Sequence, residues 1–347
     1  MVDRLKPALD VDIPGCNWIL RFDDEGRAEP GAPSDIDAVR AEGEGYAWLH
    51  LDRTDARLRD LVARIGGLTE DAREALAGAV DHQFVEYTDC VLFGAIVDHQ
   101  RTIDGVSAET DFLRFALTPG RLLTARRSPL HAPQAAREAL SRGARATTPL
   151  VLFEMLLLEA SECSKRMLRE IAAVLDKIEE NIVLEGRVRD QRSGLGQARR
   201  KSVRLSRQVN GFHSTLLRLE EAADEHEDSA LADLAASLAQ RADSLCRDAA
   251  NLQDRSRVLQ EEINAVLTLE TNDRLYLLTI LTAVLLPATF VTGYFGMNTK
   301  QLPFSENENA SVYATLLCLF ASAGAVFLLK TLGITESGFS RRKDSGA

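Results

Sequence analysis

Along this chain the apolar residues come first in short runs, then at helical spacing, and finally in two long uncharged stretches. Up to about residue 147 the runs are short. Segments 17–22, 46–52, 84–87, 90–98, 111–118 and 122–125 are apolar or aromatic and bounded by Gly, Pro and Asp, the pattern of strands. Helical patterns fall between them at 56–65, 70–77 and 134–141, with Thr69 placed to cap the second. Residues 1–147 therefore read as an α/β domain whose residues show no chemistry beyond packing.

After Pro149 the period changes. Apolar residues recur at helical spacing from 150 to 184 without an internal Gly or Pro. The stretch 186–196 is rich in Arg and Gly and reads as a polar connection, followed by a second helix over about 197–221. Together these predict a helical hairpin over 148–228. Leu231, Leu238, Leu245, Leu252, Leu259 and Val266 then fall at seven-residue steps, and Ala235, Ala242, Ala249, Ser256 and Ile263 lie four residues after the first five. This is a heptad seam. No Gly or Pro interrupts residues 229–286, so one helix of roughly 100 Å is predicted, its part from 229 to 274 forming a stalk. The seam packs on the preceding hairpin, on copies of itself, or on both.

The two apolar stretches cover 275–295 and 312–329. At about 1.5 Å per residue they give roughly 31 Å and 27 Å of helix, near the thickness of a hydrocarbon core. Lys330 can snorkel, and 331–334 extend the second span to 312–334. The tail, 335–347, carries Arg341, Arg342 and Lys343, whereas the loop at 296–311 has only Lys300. The positive-inside rule then puts both termini in the cytosol and the loop outside, in a multi-pass protein of the cytoplasmic (inner) membrane. The first residues lack an apolar h-region, so no cleaved signal peptide is expected.

Composition narrows the function. A net charge of −11 argues against a nucleic-acid partner, which needs basic stripes. Five scattered cysteines form no zinc or disulfide pattern, and no phosphate loop, GxGxxG, GxSxG or HExxH is present, so catalysis is disfavoured. Asp224-Glu225-His226-Glu227-Asp228 places carboxylates and an imidazole together; a solvated turn is the favoured reading over a metal site. Cys318 is read as a small residue facing lipid or a helix.

One face of the first span is polar. Asn272, Leu275, Thr279, Thr282, Leu286, Thr289 and Gly293 lie close to one stripe at three- and four-residue spacing. Polar atoms in hydrocarbon tend to face a bundle interior or water, which predicts a pore lining. The alternative is that each Thr hydroxyl bonds its own backbone four residues back. Two helices cannot enclose a water path, so a pore needs several copies around an axis. Leu275 and Leu286 would then form rings that close the path by dewetting, with Pro287 loosening the helix beside the second.

Just beyond the stripe stand Gly296, Met297 and Asn298. This tripeptide between two C-terminal spans resembles the signature of the CorA superfamily of divalent-cation transporters, and the whole chain follows that family's order of parts. The resemblance implies an α+β membrane protein: an N-terminal α/β cytosolic domain, a long helical hairpin, a stalk helix and two C-terminal transmembrane helices in a funnel-shaped homopentamer. It implies an Asn298 ring at the outer mouth. A neutral amide oxygen there can hydrogen-bond the water shell of a hydrated dication without stripping it. Glu306 and Glu308 are weaker candidates for drawing cations to the loop. Leu302-Pro303 and the run from Trp48 to Asp52 look most like the ZntB zinc-transporter branch.

The sequence therefore predicts divalent-cation transport with no resident cofactor, the ion being cargo. Zinc is favoured, and magnesium, cobalt or nickel is the alternative. Residues 272–311 hold no His or Cys, so zinc would pass hydrated or on oxygen ligands. Proton coupling and channel-like flux both stay open, as the stripe holds no ionisable residue between Leu275 and Phe295. The rival reading is a membrane-anchored coiled-coil sensor or scaffold that transports nothing.

Overall fold

The computed structural model describes residues 13–36, 45–103, 105–185, 188–297 and 310–331. The chain divides into two compact units, one formed by Met1–Gly186 with Asp190–Leu259, the other by Arg187–Arg189 with Gln260–Ala347.

The first unit is built on a mixed seven-stranded sheet of order β2-β1-β3-β7-β6-β5-β4. Its strands are β1 (Cys16–Phe22), β2 (Ala28–Pro30), β3 (Tyr46–Asp52), β4 (Phe84–Thr88), β5 (Val91–Thr102), β6 (Gly105–Thr118) and β7 (Arg121–Arg126). Only β3 and β7 pair in parallel, Trp48 opposite Leu122; the other neighbours are antiparallel. Alternation along the strands separates two cores. Tyr46, Trp48 and Leu122 face one, while Ala47, Leu49 and Leu123 face the other. Helices α1 (Leu58–Arg64) and α2 (Glu70–Ala77) cover the second face. Thr69 accepts from the Ala72 N–H at 3.2 Å and caps α2 as the sequence suggests.

The first face is covered by α3 (His131–Ser141), α4 (Pro149–Glu185), α5 (Val188–Glu225) and the start of α6 (Ser229–Phe295). The seam of α6 is buried here: Leu231, Ala235, Leu238 and Ala242 join Phe212, Leu216 and Leu219 of α5 and Leu152 of α4 in one cluster. Arg255 of α6 also reaches Asp176 of α4 at 2.6 Å and bonds Glu179. Over this length the heptad packs within the chain.

Four elements depart from the expected pattern. β2 is a three-residue edge strand, too short to leave an alternation. β5 and β6 run on through 99–102 and 105–110, mostly polar stretches whose pairing (His99 with Thr110) is set by register rather than by apolar content. Most telling, 188–196 is helix rather than a connection. Gly194 and Gly196 each cost about 1 kcal/mol in a helix interior, yet Leu195 between them is fully buried and overrides that cost.

Candidate functional site

The second unit holds the C-terminal part of α6 and α7 (Ala310–Thr331). Both are long and apolar enough to cross a membrane, with mean hydropathies of 2.0 and 2.2 over their best windows. α7 presents a partly covered stripe of mostly small residues, Ala314, Cys318, Ala321, Ser322, Ala325 and Leu329. Small residues let helix backbones approach closely in lipid. Here the Ser322 hydroxyl donates to the Val284 carbonyl at 3.0 Å, and the Cys318 Sγ lies 3.7 Å from the Ala288 carbonyl. Pro287 of α6 lies between those carbonyls and leaves the ring no N–H to donate. Cys318 is thus helix-facing.

The side of α6 that is partly covered comprises Ile280, Ala283, Val284, Pro287, Ala288 and the buried Val291. Asn272, Leu275, Thr279, Thr282, Leu286, Thr289 and Gly293 are all exposed. At about 3.6 residues per turn the two sets fall on nearly opposite sides of α6. Packing of α7 therefore leaves the whole polar stripe open, together with neighbouring positions such as Leu278, Leu281 and Leu285.

The hydroxyls on that stripe have a definite polarity. Thr279, Thr282 and Thr289 donate to the carbonyls of Leu275, Leu278 and Leu285, each at 2.8 Å. Their single hydrogen is therefore spent within the helix, and the outward lone pairs can only accept. The water shell of a dication points its hydrogens outward, so an acceptor-only surface suits it. The same back-bonding also makes a Thr tolerable against lipid, and Thr292 and Thr315, off the stripe, bond their own helices in the same way.

α6 ends at Phe295, and Gly296 closes its last turn, its N–H donating to the Thr292 carbonyl at 2.9 Å. Met297 is exposed just beyond it. Asn298, Lys300, Glu306 and Glu308 lie outside the described residues. The acidic run at 224–228 is used for backbone capping. Glu227 takes a positive φ of 55° at the end of α5, the Asp228 N–H bonds the Ala223 carbonyl, and the Asp228 carboxylate accepts the Leu231 N–H at 3.0 Å. Among the described residues no group of three or more His, Cys, Asp and Glu is arranged to hold a metal ion. Ser322 was missed at the sequence level; the small residues at 314, 318, 322 and 325 were the available signal.

Residues 43–331 match the family described as CorA-like Mg2+ transporter protein. The zinc transport protein ZntB of Pectobacterium carotovorum is 34% identical over 76 residues, covering 22% of this chain and 23% of that protein, so the match spans about a quarter of that relative. The divalent cation transporter CmaX of Pseudomonas aeruginosa is 27% identical over 280 residues, covering 79% of this chain and 83% of that protein. The solved structure of full-length CmaX superposes with a TM-score of 0.77 at 22% identity, over 92% of this chain and 98% of that one, and establishes the common fold.

Proposed function

The chain belongs to the family of CorA-like Mg2+ transporter proteins, and on that premise we propose that it moves hydrated divalent cations across the cytoplasmic membrane. The observation that carries this reading is the stripe from Asn272 to Gly293, exposed, acceptor-only at its three Thr positions, and turned away from α7. In the proposal, several copies arrange these stripes around one axis; the family resemblance makes the number five. Leu275 and Leu286 form its apolar constrictions. Gly296, Met297 and Asn298 shape the outer mouth, where Asn298 meets the hydrated ion, and Glu306 and Glu308 draw cations to it. Both termini are cytosolic.

Zinc is the favoured ion, supported by the local likeness to ZntB. The second reading, magnesium, cobalt or nickel, is favoured by the stripe itself. Its groups are oxygens, and oxygen ligands suit hard, hydrated ions. The test is flux into proteoliposomes loaded with a metal-sensitive dye, comparing zinc with magnesium, with and without a pH gradient. Transport predicts flux above background that Asn298→Ala reduces. A zinc signal raised by the proton gradient supports coupled zinc movement, and equal background flux from wild type and variant refutes the reading.

A further inference from the structure

Within the first unit, α4 and α5 diverge from the start of β6 and leave a cavity of about 610 Å3. Cavities of about 300–1,000 Å3 suit small organic ligands. One side is apolar: Met167, Ile171 and Val174 from α4 and Val106 from β6 line it, and Val174 remains 46% exposed. The other side is cationic, with Arg200, Lys201 and Arg204 of α5 on the lining. Glu170 is the one lining carboxylate among the described residues. Burial and nearby cations hold His99, also on the lining, in its neutral form at ordinary pH.

The cations themselves need an explanation. The chain has a net charge of −11, yet no Asp or Glu occurs from 191 to 219, and 199–207 contains Arg199, Arg200, Lys201, Arg204 and Arg207. Among the described residues none of the three lining cations forms an ion pair. Like charges one turn apart, as in Arg200 and Arg204, destabilise a helix by a few tenths of a kcal/mol, roughly. All three are exposed, and no ion pair among the described residues uses their charge.

We infer that this cavity binds a nucleoside di- or triphosphate, with the phosphates on Arg200, Lys201 and Arg204 and the base against the α4 wall. Arg pairs with phosphate oxygens through parallel N–H bonds, and Lys adds a point charge. An inorganic anion would leave the apolar wall wetted; an uncharged ring would leave the cations unmatched. Gln208 also lines the cavity, and its amide nitrogen is committed to the Thr110 hydroxyl at 2.7 Å. Its oxygen is thereby oriented as an acceptor for a ring amino group.

The test is equilibrium binding to the full-length protein in detergent with EDTA present, using a fluorescent N-methylanthraniloyl derivative of ATP. Saturable binding displaced by ATP at least about tenfold better than by tripolyphosphate or inorganic phosphate is expected, each tenfold being about 1.4 kcal/mol. Arg200→Ala with Arg204→Ala should weaken binding about tenfold or more, and Val174→Glu, at a half-exposed position, should abolish it. Arg218→Ala, on the same helix but off the cavity, should leave it unchanged. Tripolyphosphate competing as well as ATP, or cavity variants binding like wild type, overturns the assignment. Because binding is read without transport, its failure leaves the proposed transport untouched.

Discussion

Arg114, almost fully buried on β6, shows how single residues hold the first unit together. Its guanidinium donates to the carbonyls of Ala75, Gly78 and Val80 at 3.0, 2.6 and 2.6 Å, and Arg53 also bonds the Gly78 carbonyl. A cation thus meets the negative end of α2. Arg114→Ala should lower stability by about 3 kcal/mol, since the Ala75 and Val80 carbonyls lose this donor in the interior and Gly78 keeps only Arg53, read as a shifted denaturation midpoint. A second residue-scale device is Asp98, whose carboxylate accepts the N–H groups of Ala132 and His99 at 2.6 and 2.8 Å beside the start of α3. Burial pushes its carboxyl up from 3.8 to about 7, whereas burial pushes the adjacent His99 down from 6.5 to about 4. The raised Asp98 favours the fold fully below about pH 4 and loses that contribution as pH rises through about 7. The lowered His99 works in the opposite sense, favouring the fold above about 6.5 and losing that as pH falls through about 4. The two slopes oppose each other. Relative to wild type, Asp98→Asn should therefore make stability rise more steeply with pH between about 4 and 6.5, and His99→Gln should make it rise less steeply, the buried His50 and His131 sloping the same way as His99 in every variant, in denaturation series across pH. Parallel profiles in all three proteins would refute the opposition.

Among elements, the pairing of α6 with α7 rests on the small face of α7 and the Ser322 bond beside Pro287. Ser322→Ala removes one interhelical bond and should cost about 0.6 kcal/mol, while Ser322→Leu fills the close approach and should cost about 2 kcal/mol. Unfolding in mixed micelles by added SDS measures both; a Leu variant no weaker than the Ala variant would show that the face does not pack closely. The same element scale explains what the sequence disclosed. Heptads and uncharged runs are long and redundant, so α6 and α7 were legible from Leu231 to Leu329. The polar stripe is visible in the sequence because it repeats over six turns, and its role as a pore lining is a proposal. What stayed hidden depended on partners far along the chain. Register carries β5 and β6 through polar residues, and burial of Leu195 holds a helix across Gly194 and Gly196. The Ser322 bond was hidden for the same reason, since one hydroxyl among small residues has meaning only against Val284. The cationic cavity was missed because its apolar wall is on α4 and β6 while its charges are on α5.

For the whole molecule, assembly depends on where the seam is used. Between Leu231 and Ala242 the heptad positions are buried in the chain's own core, so they are not available to join copies. Assembly in the proposed transporter must then use other faces of α6, and in the membrane segment the face bearing Leu275 and Leu286, at 55% and 66% exposure, is open, as are Leu278 and Leu285 beside it. If copies surround an axis, each Leu286 becomes part of an apolar ring that water crosses poorly. Replacing it with Asn wets the ring from every copy at once. Leu286→Asn should raise dye-detected cation entry into proteoliposomes several-fold above wild type, with the mass by light scattering in detergent unchanged from wild type. Phe327→Asn on α7, 69% exposed and away from the stripe, supplies the contrast. There a polar group would face lipid, costing stability and leaving flux per folded protein unchanged. The two faces thus predict opposite readouts from the same chemical change. Were Leu286→Asn to behave like Phe327→Asn, the stripe would face lipid and its Thr hydroxyls would serve only their own helix. A single-chain mass in detergent would remove the axis itself, since two helices alone enclose no path for an ion.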